Sequence, residues 1–65
     1  MNTAELRQQI AADRELMSEA RGWIADCTGE ATDFWSPALV LATVANSYDG
    51  GLLGFLQNNT ALATN

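Results

Sequence analysis

Apolar residues along the first third of the chain mark a single helical seam. Leu6, Ile10, Asp13, Met17, Ala20, Ile24 and Cys27 follow one another at spacings of four and three, and only Asp13 breaks the apolar run. Leu16 and Trp23 sit beside the seam and widen it to a globular packing stripe. No proline falls between Thr3 and Cys27, no glycine precedes Gly22, and residues that favour helices dominate. The spacing therefore predicts one long first helix over this stretch. Thr3 is its expected N-cap, and Glu5 lies near the positive end of the dipole. Arg7, Arg14 and Arg21 recur along the polar side with Glu15 and Glu19 nearby, the pattern of a solvated face, with a specific acidic partner as the alternative.

Gly29 is placed to end that helix, and Thr28 to Asp33 reads as a small, polar connecting loop. Phe34 and Trp35 follow; both are expected to fold back onto the first helix beside Trp23, whereas an exposed pair points to a partner site. Ser36-Pro37 is a helix start, with serine as cap and proline at the first helical position. It predicts a second helix to about Tyr48. Val40, Val44 and Tyr48, with Leu41, form its apolar face, and Leu39, Ala42 and Thr43 leave the other face uncharged. Asp49-Gly50-Gly51 predicts a sharp corner, because glycine adopts left-handed backbone angles at little cost. Leu52, Phe55 and Leu56, with Leu53 on the flank, then fit a short third helix from about Gly51 to Gln57. The run from Asn58 to Asn65 is expected to fray, with at most a loose turn at Ala61 and Leu62. The predicted fold is a single all-α domain of three helices over residues 1–65. Its core is Leu6, Ile10, Met17, Trp23, Ile24, Cys27, Val40, Val44, Tyr48, Leu52, Phe55 and Leu56, and Gly50 and Gly51 shape its corner.

Composition narrows what such a domain can do. A chain of 65 residues buries only roughly 60% of the surface that its unfolded form exposes, so the core is marginal although 48% of residues are hydrophobic. Small cores usually gain from disulfides, metal or a second subunit. With one cysteine and no histidine, an intrachain disulfide and a cysteine-histidine zinc cage are excluded, which leaves self-association. Eight acidic residues against three arginines give a net charge of -5, which opposes direct binding to nucleic acid. Met1-Asn2-Thr3-Ala4-Glu5 has no basic flank or apolar signal core, and Pro37 to Ala45 is far short of the roughly 20 residues needed to cross a bilayer. A cytoplasmic address without membrane contact is the expectation.

Candidate chemistry is sparse. Asp26 and Cys27 are adjacent, so on a helix they point about 100° apart, and an aspartate does not activate a thiol. Asp13, Glu19, Asp26, Glu30, Asp33 and Asp49 do not follow a calcium-loop spacing, and no Glu-x-x-His pair exists. Gly50, Gly51 and Gly54 lack the lysine and the preceding strand of a phosphate loop. Asn58-Asn59-Thr60 matches a glycosylation acceptor only by pattern. No cofactor, metal or catalytic residue is expected.

Two stretches, Arg21-Gly22-Trp23-Ile24-Ala25-Asp26-Cys27 and Tyr48-Asp49-Gly50-Gly51-Leu52-Leu53-Gly54-Phe55-Leu56, resemble small acidic helical proteins of actinobacterial phages and their hosts. Their order and spacing also match. Those proteins usually carry a second tryptophan soon after the cysteine and a charged middle helix; here Gly29 and the uncharged Leu39 to Ser47 segment stand in those places. The resemblance implies a compact helical fold and a phage accessory role, and it transfers no catalytic residue.

The expected function is a noncatalytic module that binds a host or viral protein and self-associates through apolar helix faces. Phe34, Trp35, Leu39, Thr43 and Leu53 are the candidate partner-binding residues. An acidic decoy that mimics DNA toward a defence protein is the alternative, weakened because arginines alternate with acids along the first helix. A small enzyme, built on carboxylates, Tyr48 or Cys27, ranks last because so short a domain has little room for a pocket.

Overall fold

The computed structural model describes the backbone of residues 2–64 and the side chains of residues 2–59. Among the described residues four helices form: α1 (Thr3–Ala12), α2 (Arg14–Thr28), α3 (Pro37–Ser47) and α4 (Gly51–Thr64). The three-helix expectation is corrected at Asp13, where the long first helix divides. Asp13 takes extended backbone angles (φ -102, ψ 111) and serves both neighbours. Its N–H donates to the Ile10 carbonyl at 3.1 Å, closing α1, and its Oδ1 accepts from the N–H groups of Glu15 (3.0 Å) and Leu16 (3.2 Å), opening α2. A continuous helix would aim this carboxylate along the buried seam, where it would have no partner. Breaking the helix turns it into a cap worth about 1 kcal/mol and leaves it in water. The break also frees α1 to take its own direction, and α1 packs against α2, α3 and α4.

The remaining boundaries follow local chemistry. Asn2, one residue earlier than expected, caps α1 by accepting from the Glu5 N–H at 2.8 Å. Gly29 ends α2 in the left-handed conformation (φ 74), with its N–H on the Ala25 carbonyl at 2.8 Å. Ser36 caps α3 through the Leu39 N–H at 3.2 Å, with Pro37 at the first helical position. Tyr48 is the residue after α3 and not its last turn. α4 runs to Thr64, seven residues past the expected end near Gln57; the side chains of Ala61 and Leu62 and all of Asn65 lie outside the described residues.

Between α3 and α4 the chain turns through 99° over Tyr48, Asp49 and Gly50. Gly50 and Gly51 adopt φ of 83 and 64, and the Gly51 N–H donates to the Tyr48 carbonyl at 2.9 Å. Gly54, which the sequence reading assigned no part in the corner, completes it: a Cβ there would run into the backbone carbonyl of Asp49.

Ile10, Ile24, Val40, Val44 and Phe55 are the largest fully buried side chains, one or more from each helix. Leu6, Leu16, Met17, Ala20, Leu41, Leu52 and Leu56 complete the core. Trp23 and Tyr48 are half-buried at its edge, and Tyr48 joins Trp23 to Phe55 by edge-on contacts with centroids 5.0 and 5.3 Å apart. Cys27 is exposed, which corrects its placement in the core. It shares the phase of Ile24, but it lies in the last turn of α2, and a helix face is buried only where another element covers it. Among the described residues no single helix is long and apolar enough to cross a membrane.

Candidate interaction surface

The loop after α2 is held by side chains eleven positions apart in sequence. The Arg21 guanidinium donates to the Thr32 carbonyl at 2.6 Å, and the Thr32 hydroxyl donates back to the Arg21 carbonyl at 3.0 Å. Thr32 is buried, and its exchange with Arg21 satisfies its hydroxyl and its carbonyl. The same Thr32 carbonyl accepts from the Trp35 N–H at 3.0 Å, which closes a four-residue turn with Asp33 and Phe34 in the middle. From sequence Arg21 reads only as one of three arginines on a solvated face and Thr32 only as part of a polar loop, because neither carries a mark of a contact eleven residues away; the structure corrects Arg21 to a half-buried partner of Thr32.

This clasp divides the aromatic pair. Trp35 turns inward and packs against the core, whereas Phe34 stands 89% exposed at the tip of the turn. The expectation that both fold back beside Trp23 is corrected for Phe34. With the turn fixed at Thr32 and Trp35, Phe34 falls at its exposed centre and Trp35 at its anchored end, so one ring is buried at the expense of the other. Leu39, in the first turn of α3, is 48% exposed, and Thr43 one turn on is half-buried with its hydroxyl on the Leu39 carbonyl at 2.9 Å. Leu53 is 46% exposed on α4. Of the predicted partner-binding residues, Phe34, Leu39 and Leu53 are therefore exposed, on the turn, on α3 and on α4 respectively, while Trp35 packs against the core and Thr43 is half-buried.

Next to the Phe34 turn lies a groove of about 540 Å³ between α2 and the loop. Arg14, Arg21, Gly22 and Ala25 contribute from the helix, and Ala31 and Asp33 from the loop. Gly22 is exposed, and a Cβ built on it meets nothing within 4 Å. A helix-interior glycine is destabilising by roughly 0.5–1 kcal/mol relative to alanine. Packing within the chain therefore gives no reason for glycine here.

No protein-family model matches this chain, and neither a curated protein nor a solved structure matches it. The site is thus read from its own geometry. Among the described residues no three of the histidine, cysteine, aspartate and glutamate side chains cluster as metal ligands. Tyr48 is engaged in packing, and its hydroxyl accepts from Asn58 Nδ2 at 3.0 Å. Cys27 stands alone on the surface.

Proposed function

We propose that this chain is a noncatalytic protein-interaction module, an accessory factor of the phage type, anchored by the turn that presents Phe34. One observation carries the reading: a phenylalanine 89% exposed on a turn whose two ends are tied to the body of the domain. Leaving a phenylalanine in water forgoes about 1.5–3 kcal/mol of burial. A fixed turn also spares a partner most of the entropy of ordering a loop, and aromatic anchors with neighbouring arginines are the usual hot spots of protein interfaces. Exposed Pro37 and Leu39 extend the apolar surface along the start of α3. A cytoplasmic site of action, in a bacterial host, belongs to the same proposal, as does engagement of a host or viral protein or a second copy.

The test compares tagged wild-type chain with Phe34→Ser as baits in host lysate, read by quantitative mass spectrometry. Proteins enriched by the wild type and lost with the variant, at unchanged melting temperature, are the expected result. Equal recovery by both baits refutes the role of this turn.

A further inference from the structure

We infer that the surface formed by the Phe34 turn and the adjacent groove is self-complementary, and that its occupant is a second copy of this chain, with Phe34 of each copy seated in the groove of the other. The inference rests on the proposed role of Phe34 and names its partner. A two-fold interface requires that one patch carry both a projection and its receptor, because residue i of one copy meets residue j of the other and the reverse. Here the two are neighbours in the chain. Asp33 lines the groove and Phe34, the next residue, projects from the turn beside it. The groove's helical side offers Gly22, whose missing Cβ opens onto empty space, and Ala25, so a flat ring can lie close to the backbone of α2.

Charge selects the same face. With eight acidic residues and three arginines, two copies repel over most approaches. Two arginines, Arg14 and Arg21, and one carboxylate, Asp33, line this groove, so it carries an excess of positive charge on an acidic chain, and docking the ring brings the Asp33 that precedes it to that excess. Arg21 gives one nitrogen to the Thr32 carbonyl, and the fork of its guanidinium leaves further N–H donors for that carboxylate.

Sedimentation velocity on the full chain from micromolar to about 1 mM, the range in which weak dimers form, tests this with three proteins: wild type, Phe34→Ser and Gly22→Leu. Gly22→Leu places a bulky side chain in the groove from a position where an added Cβ meets nothing within 4 Å, and circular dichroism and thermal melting check that the fold is retained. Wild type is expected to dimerise, and each variant to raise the dissociation constant at least tenfold. A mixture of the two variants, labelled with different fluorophores, should pair more tightly than either variant alone, because the intact Phe34 of one meets the intact groove of the other. A monomeric wild type, dimerisation insensitive to either substitution, or a mixture no tighter than the variants alone overturns the inference. Should the wild type be monomeric while Phe34→Ser still loses proteins captured from lysate, self-pairing fails and the proposed function stands. Should Phe34→Ser leave both capture and dimerisation unchanged, both fail.

Discussion

Gly54→Ala and Gly22→Ala are the same chemical change on two helices, and the structure assigns them opposite signs. At Gly54 the added methyl is directed at the carbonyl oxygen of Asp49, with the Asp49 carbonyl carbon 3.3 Å away. Both atoms belong to backbone held in the corner by Gly50 and Gly51 at positive φ, so no side chain can rotate aside. Opening the corner would also disturb the Gly51 N–H bond to Tyr48 and the contact of Tyr48 with Phe55. Overpacking costs about 1–3 kcal/mol, and backbone against backbone belongs at the upper end. The better helix propensity of alanine returns up to about 1 kcal/mol, for a net loss of about 2 kcal/mol. In a domain of this size each kcal/mol moves the melting temperature by roughly 4–8 °C, so Gly54→Ala should melt about 8–16 °C lower. Gly22→Ala meets open space and should melt about 2–8 °C higher, from the 0.5–1 kcal/mol of propensity alone. Thermal and urea unfolding followed by far-UV circular dichroism and tryptophan fluorescence, at low micromolar concentration to keep association out of the measurement, reads both. A Gly54→Ala variant as stable as the wild type would refute the assignment of the corner, and a destabilised Gly22→Ala would refute the open groove.

Further consequences can be checked in the same assays. Asp13→Ala removes the acceptor for the Glu15 and Leu16 N–H groups and should lower stability by about 1 kcal/mol, with Asp13→Asn keeping most of it, as read in urea unfolding. Thr32→Val keeps the shape of the side chain but deprives the buried turn of its hydroxyl bond to the Arg21 carbonyl. A loss of about 1–2 kcal/mol is expected, with faster amide exchange at Trp35. Cys27, exposed on α2, should react completely with a thiol reagent in the native protein, and Cys27→Ser should change stability by less than about 0.5 kcal/mol. Slow labelling that requires unfolding would place Cys27 in the core after all.

Much of this molecule was legible as local pattern. Caps and breakers act within a few residues, so Ser36-Pro37 opening α3, Gly29 closing α2 and the Asp49-Gly50-Gly51 corner could each be read where they stand. The buried sets on α2, α3 and α4 follow helical periodicity for the same reason: phase along a helix is fixed by the sequence itself. Asp13 was visible as the flaw in the seam, but whether it would be tolerated in a continuous helix or become a double cap depended on where α1 could pack once freed. The candidate site was less legible. Phe34 and Trp35 are equivalent as a sequence pair, and only the clasp between Arg21 and Thr32 fixes which of them faces water.

The sequence by itself therefore determined an all-helical chain, the residues that could face inward, and the chemistry available to it: eight acids, three arginines, one thiol and no imidazole. Tertiary structure alone decided the division of the first helix, the exposure of Cys27 and Phe34, the steric demand at Gly54 and the groove over Gly22. The difference is one of range. Propensity, capping and phase are set by neighbours along the chain, whereas burial depends on which distant segment arrives to cover a face.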